Sequence, residues 1–121
     1  DRLRSLMAPN ARFIPTGMRQ AGGGVMRSWT LDEYIAAAGP GLTANGFFER
    51  EIGRTTERFG NVVHVMSAYD SKRTLQDAQP FQRGVNSIQL WYDGARWWVV
   101  NVFWQAETPT HPIPDRYLRA P

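Results

Sequence analysis

The residues best suited to chemistry lie in the second half of the chain. His64 sits in NVVHVMSAYDS, and an imidazole titrates close enough to neutral pH to act as base or acid. If that segment is a strand, His64 shares a face with Val62, Met66 and Asp70, while Ser67 and Tyr69 point the other way. His64 is therefore the candidate catalytic residue, set against the plainer role of a histidine whose ring N–H is satisfied among apolar neighbours. His111, in the Pro-rich run TPTHPIP, reads as solvated. With 2 His and no Cys, the chain offers no metal-ligand spacing, no disulfide and no thiol chemistry. Glu49 and Glu51 share a strand face, but Arg50 and Arg54 flank them, so ion pairing across a sheet is the expected role. No Ser-His-Asp set can be assembled by spacing, and neither a metal nor a cofactor is expected.

A second group of candidates lies in the closing segment GVNSIQLWYDGARWWVVNVFWQAE. Asp93-Gly94 is the favoured pair for a two-residue hairpin turn. That turn sets Tyr92 opposite Ala95, Leu90 opposite Trp97, Ile88 opposite Val99 and Asn86 opposite Asn101. Strict alternation then puts Asn86, Ile88, Leu90, Trp97, Val99, Asn101, Phe103 and Gln105 on one face. Apolar walls with a few amides suit a pocket that orients a small hydrophobic ligand; the same amides could instead satisfy backbone groups where the sheet bends. The other face carries Gln89, Trp91, Trp98 and Trp104. Three tryptophans left in water are unfavourable, so this face is expected to form a homodimer interface.

These strands need elements to hold them. Leu3, Leu6 and Met7 fall at helical spacing, so residues 1–7 read as the end of a helix stopped by Ala8-Pro9-Asn10. Ala11 to Thr16 reads as a strand with Phe13 and Pro15 on one side. Gly17 to Gly24 is a Gly-rich hairpin loop; no GK[ST] follows, so it is not a phosphate-binding loop. Thr30-Leu31-Asp32-Glu33 is a capping box that starts a helix through Tyr34, Ile35 and Ala38, and Gly39-Pro40-Gly41 is expected to end it. Phe47 to Phe59 and Val62 to Ser71 form a long hairpin around Gly60-Asn61. Residues 71–83 read as a loop, and the chain after Glu107 as an extended tail on the surface or on a partner.

The 121 residues fit one domain, 1–121, with one core. Hydrophobic residues make up 42% and charged residues 21%, a globular balance rather than a disordered one. All but one of the 14 basic residues are Arg, scattered without a basic run, so the net charge of +3 does not imply a nucleic-acid partner. No apolar stretch approaches a membrane span. The absence of cysteine says little about compartment; a cytoplasmic protein is the expectation, and a start at Asp1 is also compatible with a leader removed ahead of it.

The order of elements, with FFEREIGRTTERFGNVVHVMSAYDS and the closing tryptophan-rich hairpin, resembles the nuclear-transport-factor-2-like superfamily and, within it, a SnoaL-like, uncharacterised bacterial branch. The resemblance covers nearly the whole chain. It implies an α+β fold: a cone-shaped barrel whose strongly curved, mainly antiparallel sheet and N-terminal helices close a pocket. It also implies dimerisation through the outer face of the sheet. One departure is that the usual long first helix has no counterpart here. Members include polyketide cyclases, ketosteroid isomerases and a dehydratase, so an isomerase, cyclase or dehydratase acting on a hydrophobic substrate is the alternative to simple binding. In the isomerases a carboxylate base stands on the first strand. Pro15 occupies the matching place here, and Asn86 approximates the position of the oxyanion donor. The fold hosts unrelated activities, so the resemblance bears on architecture more than on chemistry.

Overall fold

The computed structural model describes residues 2–120. Its strands are β1 (Met7–Met18), β2 (Gly24–Met26), β3 (Phe48–Phe59), β4 (Val62–Lys72), β5 (Gln82–Tyr92) and β6 (Trp97–Ala106), and its helix is α1 (Leu31–Asn45). All six strands join one sheet in the order β2-β1-β6-β5-β4-β3. β1 runs parallel to β6 and the remaining pairs are antiparallel. The fold is thus α+β, with a curved, mainly antiparallel sheet. Register shifts in the β1–β6, β3–β4 and β5–β6 pairs accompany that curvature, because an extra residue on one strand bends it and increases its twist.

α1 starts where its capping box requires. The Thr30 hydroxyl accepts from the Glu33 backbone N–H at 3.2 Å, and the Glu33 carboxylate accepts from the Thr30 N–H at 2.9 Å. Its end differs from expectation: the helix passes through Gly39-Pro40-Gly41 and stops at Gly46, whose φ of 79° is left-handed. Pro40 removes one backbone bond from an exposed stretch, where the freed carbonyl can turn to water. The Asn45 side chain also donates to the Gly41 carbonyl at 3.0 Å, holding the last turn.

The N-terminal segment also departs from expectation. Arg4–Leu6 is a short 3₁₀ turn, and Met7 already pairs with Val99 of β6. Three apolar residues cannot nucleate a helix alone, whereas β6 offers a ready backbone partner. Asp1, where the expected helix would begin, lies outside the described residues. β1 is irregular after Met7 because Asn10 adopts φ 64°, a conformation that Asn tolerates better than most residues. Among the described residues α1 is the one α-helix, so the several N-terminal helices implied by the resemblance are not seen.

α1 lies on one face of the sheet, here called the helix side. Tyr34 stacks on Phe13 with ring centroids 5.2 Å apart and meets Trp104 edge-on at 5.6 Å. Ala11, Phe13 and Leu31 are buried around this packing, and Val63, Val65 and Tyr69 are buried on β4 on the same side of the sheet. The C-terminal tail uses the opposite, far side. The Ile113 N–H donates to the Glu107 carboxylate at 2.7 Å, and Arg54 N–H donates to the Arg119 carbonyl at 3.1 Å. Gly53 is required there, since a Cβ would collide with the Tyr117 carbonyl.

Candidate functional site

The register of the last hairpin decides which side chains meet. Tyr92 pairs with Trp97 rather than with Ala95, so the turn is a four-residue loop. The Asp93 carboxylate explains this: it accepts from the backbone N–H groups of Ala95 and Arg96 at 2.8 Å each and from the Trp98 indole at 2.7 Å. These bonds, led by the indole, hold the Asp93 pKa down at about 2. Leu90 then pairs with Val99, but the next pair is Gln89 with Asn101. Val100 is left unpaired as a bulge, and beyond it every side chain of β6 changes face.

Five of the eight expected ligand-binding residues therefore stay together on the helix side: Asn86, Ile88, Leu90, Trp97 and Val99. Asn101, Phe103 and Gln105 move to the far side, a correction to strict alternation. Trp104, expected at the dimer face, moves the opposite way and packs on Tyr34. Gln89, Trp91 and Trp98 remain on the far side.

α1 covers only one end of the helix-side face. At the other end is an open trough of about 490 Å³. Its floor is apolar: Val63, Val65, Ile88, Leu90, Trp97 and Val99. Its polar wall, along β3, is Glu51, Arg54, Thr56 and Arg58. Glu51 and Arg54 form an ion pair at 2.7 Å along one strand, not across the sheet as the sequence suggests, because the irregularity between Glu51 and Gly53 brings them to one face. Desolvation pushes the Glu51 carboxyl up, but hydrogen bonds from Arg54 and Ser67 outweigh it and leave the pKa lowered. The cross-strand ion pair is instead Arg50 with Asp70, at 3.1 Å on the far side.

Under α1, a second set of polar groups gathers that sequence spacing does not reveal. Tyr69 is 4% exposed, and burial, with the nearby Glu49 charge, raises its pKa to about 12. Its hydroxyl accepts from the Gln82 amide at 3.5 Å, the long limit of a hydrogen bond. Tyr34 is raised by the same two causes. Glu49 keeps exposed surface, yet desolvation of its carboxyl pushes its pKa up, opposed in part by the neighbouring Ser71 hydroxyl. Ser71 itself is 1% exposed, and its Oγ has no well-formed hydrogen bond among the described residues. Tyr34, Glu49 and Tyr69 come from a helix and two strands, so only the fold brings them together.

His64 is not part of this face. It stands on the far side, half-buried, with Nε2 2.7 Å from Ser87 Oγ and with Glu57 and Gln89 as cross-strand neighbours. His64, Asn101 and Gln105 thus lie behind the sheet from the trough, and Asn86 lies in front. Among the described residues no group of three or more His, Asp or Glu could hold a metal ion. No described helix is long and apolar enough to cross a membrane.

No protein-family model and no curated protein matches the sequence. A solved structure does share the fold: a nuclear-transport-factor-2-like protein of unknown function from Shewanella baltica, with a TM-score of 0.56, 11% identity, and coverage of 88% of this chain and 76% of that one. At that identity the likeness bears on the fold alone, and the fold is nuclear-transport-factor-2-like.

Proposed function

We propose that this is a small-molecule-binding domain whose ligand lies in the helix-side trough. The single observation behind this reading is the trough itself, an apolar floor on three adjacent strands beside a polar wall on a fourth. Ligand sites commonly combine apolar lining with a few fixed polar groups. The volume is in the range of a drug-sized molecule. Nile red, a neutral apolar dye, supplies the test: wild type and Trp91→Ala should bind it saturably, and Leu90→Arg, with its fold verified by circular dichroism, should not. Undiminished binding by Leu90→Arg would sink the reading.

Self-association through the far side belongs to the same proposal. Its support is the exposed apolar surface there: Val62 is 64%, Trp91 43% and Phe103 39% exposed. Trp98 is a weaker contributor than its type suggests, since Arg96 lies 3.6 Å over its ring and Asp93 takes its N–H.

A second reading, an isomerase, cyclase or dehydratase on a hydrophobic substrate, is favoured by the cluster under α1. A carboxylate of raised pKa beside two protonated phenols is suited to moving a proton and stabilising an oxyanion. Turnover of polycyclic ketones by wild type, Glu49→Gln and His64→Ala separates the routes. Loss in Glu49→Gln alone supports the cluster, and loss in His64→Ala alone overturns it.

A further inference from the structure

The trough holds one cation that the protein leaves uncommitted. Arg54 is paired with Glu51. Arg58 is not paired: its Nε donates to the Gly60 carbonyl at 3.0 Å, and no carboxylate stands within ion-pair distance of it among the described residues. Its guanidinium lies over two rings at the same end of the trough, 4.8 Å from the Trp97 centroid and 5.8 Å from that of Tyr92. Those rings themselves pack at 4.8 Å, and the Tyr92 hydroxyl is tied to the Gly94 carbonyl at 3.1 Å. Arg58 is thus held in place by its carbonyl and its aromatic platform, with its terminal N–H groups unoccupied.

Stacking restricts a side chain that would otherwise lose much rotamer entropy on binding. A fixed planar fork with free donors suits a planar oxyanion, to which it can donate two parallel charge-assisted hydrogen bonds. Immediately beside it lie Val63, Leu90 and Val99, in one row across three strands, with Val65 and Ile88 in the next. The cation and the apolar floor are therefore adjacent parts of one surface. A neutral apolar ligand would shield Arg58 from water without giving it a partner. A cationic ligand would meet like charge.

We infer that the trough takes an amphipathic monoanion, an extended apolar body ending in a carboxylate, with Arg58 receiving the headgroup and the β4–β5–β6 floor receiving the body. This rests on the trough being the binding site, and it adds the class of ligand and the residue that selects it.

Dodecanoate and dodecanol share a chain and differ in headgroup charge, which makes them the probes. Each is titrated, below its aggregation threshold and with the carboxylate ionised, into wild type, Arg58→Gln and Arg54→Gln, following tryptophan fluorescence and calorimetric heat. One charge-assisted contact at a partly exposed site predicts that wild type binds dodecanoate about tenfold more tightly than dodecanol. Arg58→Gln should reduce that preference to within about twofold, through loss of dodecanoate affinity. Arg54→Gln should reduce it less, since Arg54 is already paired with Glu51. Equal affinity for the two probes in wild type overturns the inference and leaves the apolar trough standing. A preference that survives Arg58→Gln, or falls further in Arg54→Gln than in Arg58→Gln, overturns the assignment to Arg58. Binding of neither probe overturns the inference and the trough reading together.

Discussion

Gln89 faces Asn101 across the last hairpin, with the Asn101 amide 3.4 Å from the Gln89 carbonyl oxygen. Leu90 pairs with Val99 next to them, so Val100 has no partner and the strand changes face at that point. Trp104 consequently lies under α1, while Trp91 stays on the far side. Trp104→Ala should destabilise the fold by about 3 kcal/mol, the lower end for losing a large packed aromatic. Trp91→Ala should change monomer stability little and reduce self-association. Urea unfolding together with sedimentation velocity tests both. The reverse pattern would mean that the β6 register is regular.

The Asp93 carboxylate organises the hairpin loop, and its pKa of about 2 lies below the ordinary value of 3.8. A depressed carboxylate stabilises the fold above its unfolded pKa and loses that contribution as pH falls through the folded value. Stability should therefore fall between these two values on acidification. Asp93→Asn should be less stable at neutral pH and should lack this part of the acid limb. An unchanged acid limb in the variant would show that the loop does not depend on the charge.

Tyr69 acts at the opposite end of the pH scale. Its raised pKa means that the neutral phenol is the form the fold favours, so its contribution is intact below 10 and is lost as pH rises toward about 12. Tyr69→Phe should flatten the alkaline limb of a stability profile. Glu49 is also raised, so the fold should be most stable below its unfolded pKa and weaken as pH rises through the folded one. Glu49→Gln should remove that decline and raise the melting temperature at neutral pH. A lower melting temperature would indicate that the carboxylate is stabilised where it stands.

The capping box gives a local test. Thr30→Ala leaves the Glu33 backbone N–H without its cap and should lower stability by about 1 kcal/mol. A loss within error in chemical denaturation would mean that α1 contributes little to the cooperative unit.

What could be read in the sequence was set by local chemistry. Thr30 to Glu33 announces a helix start because both hydrogen bonds are made within four residues, and the β3–β4 hairpin is visible because Gly60 must turn the chain at φ 56°. The bulge at Val100 is not visible. In WWVVNVFWQ either register places large apolar groups on both faces, so alternation carries no mark of a slip. For the same reason alternation places Asn101, Phe103, Gln105 and Trp104 each on the wrong face. Pro40 reads as a stop, but a stop signal in an exposed stretch is weak when the flanking residues can keep their own bonds. Tyr34, Glu49 and Tyr69 are far apart in sequence and carry no mutual spacing, so their meeting depends on the pairing of β3 with β4 and the placement of α1.

Methyl NMR with dodecanoate tests the central claim most directly, because Val62 and Val63 are adjacent in sequence and point to opposite sides of the sheet. The trough account predicts saturable shifts, with one common dissociation constant, at the methyls of Val63, Val65, Ile88, Leu90 and Val99. Val62 and Met66 should stay silent. Shifts confined to Val62, Met66 and their far-side neighbours, or no saturable shift at any methyl, would contradict it.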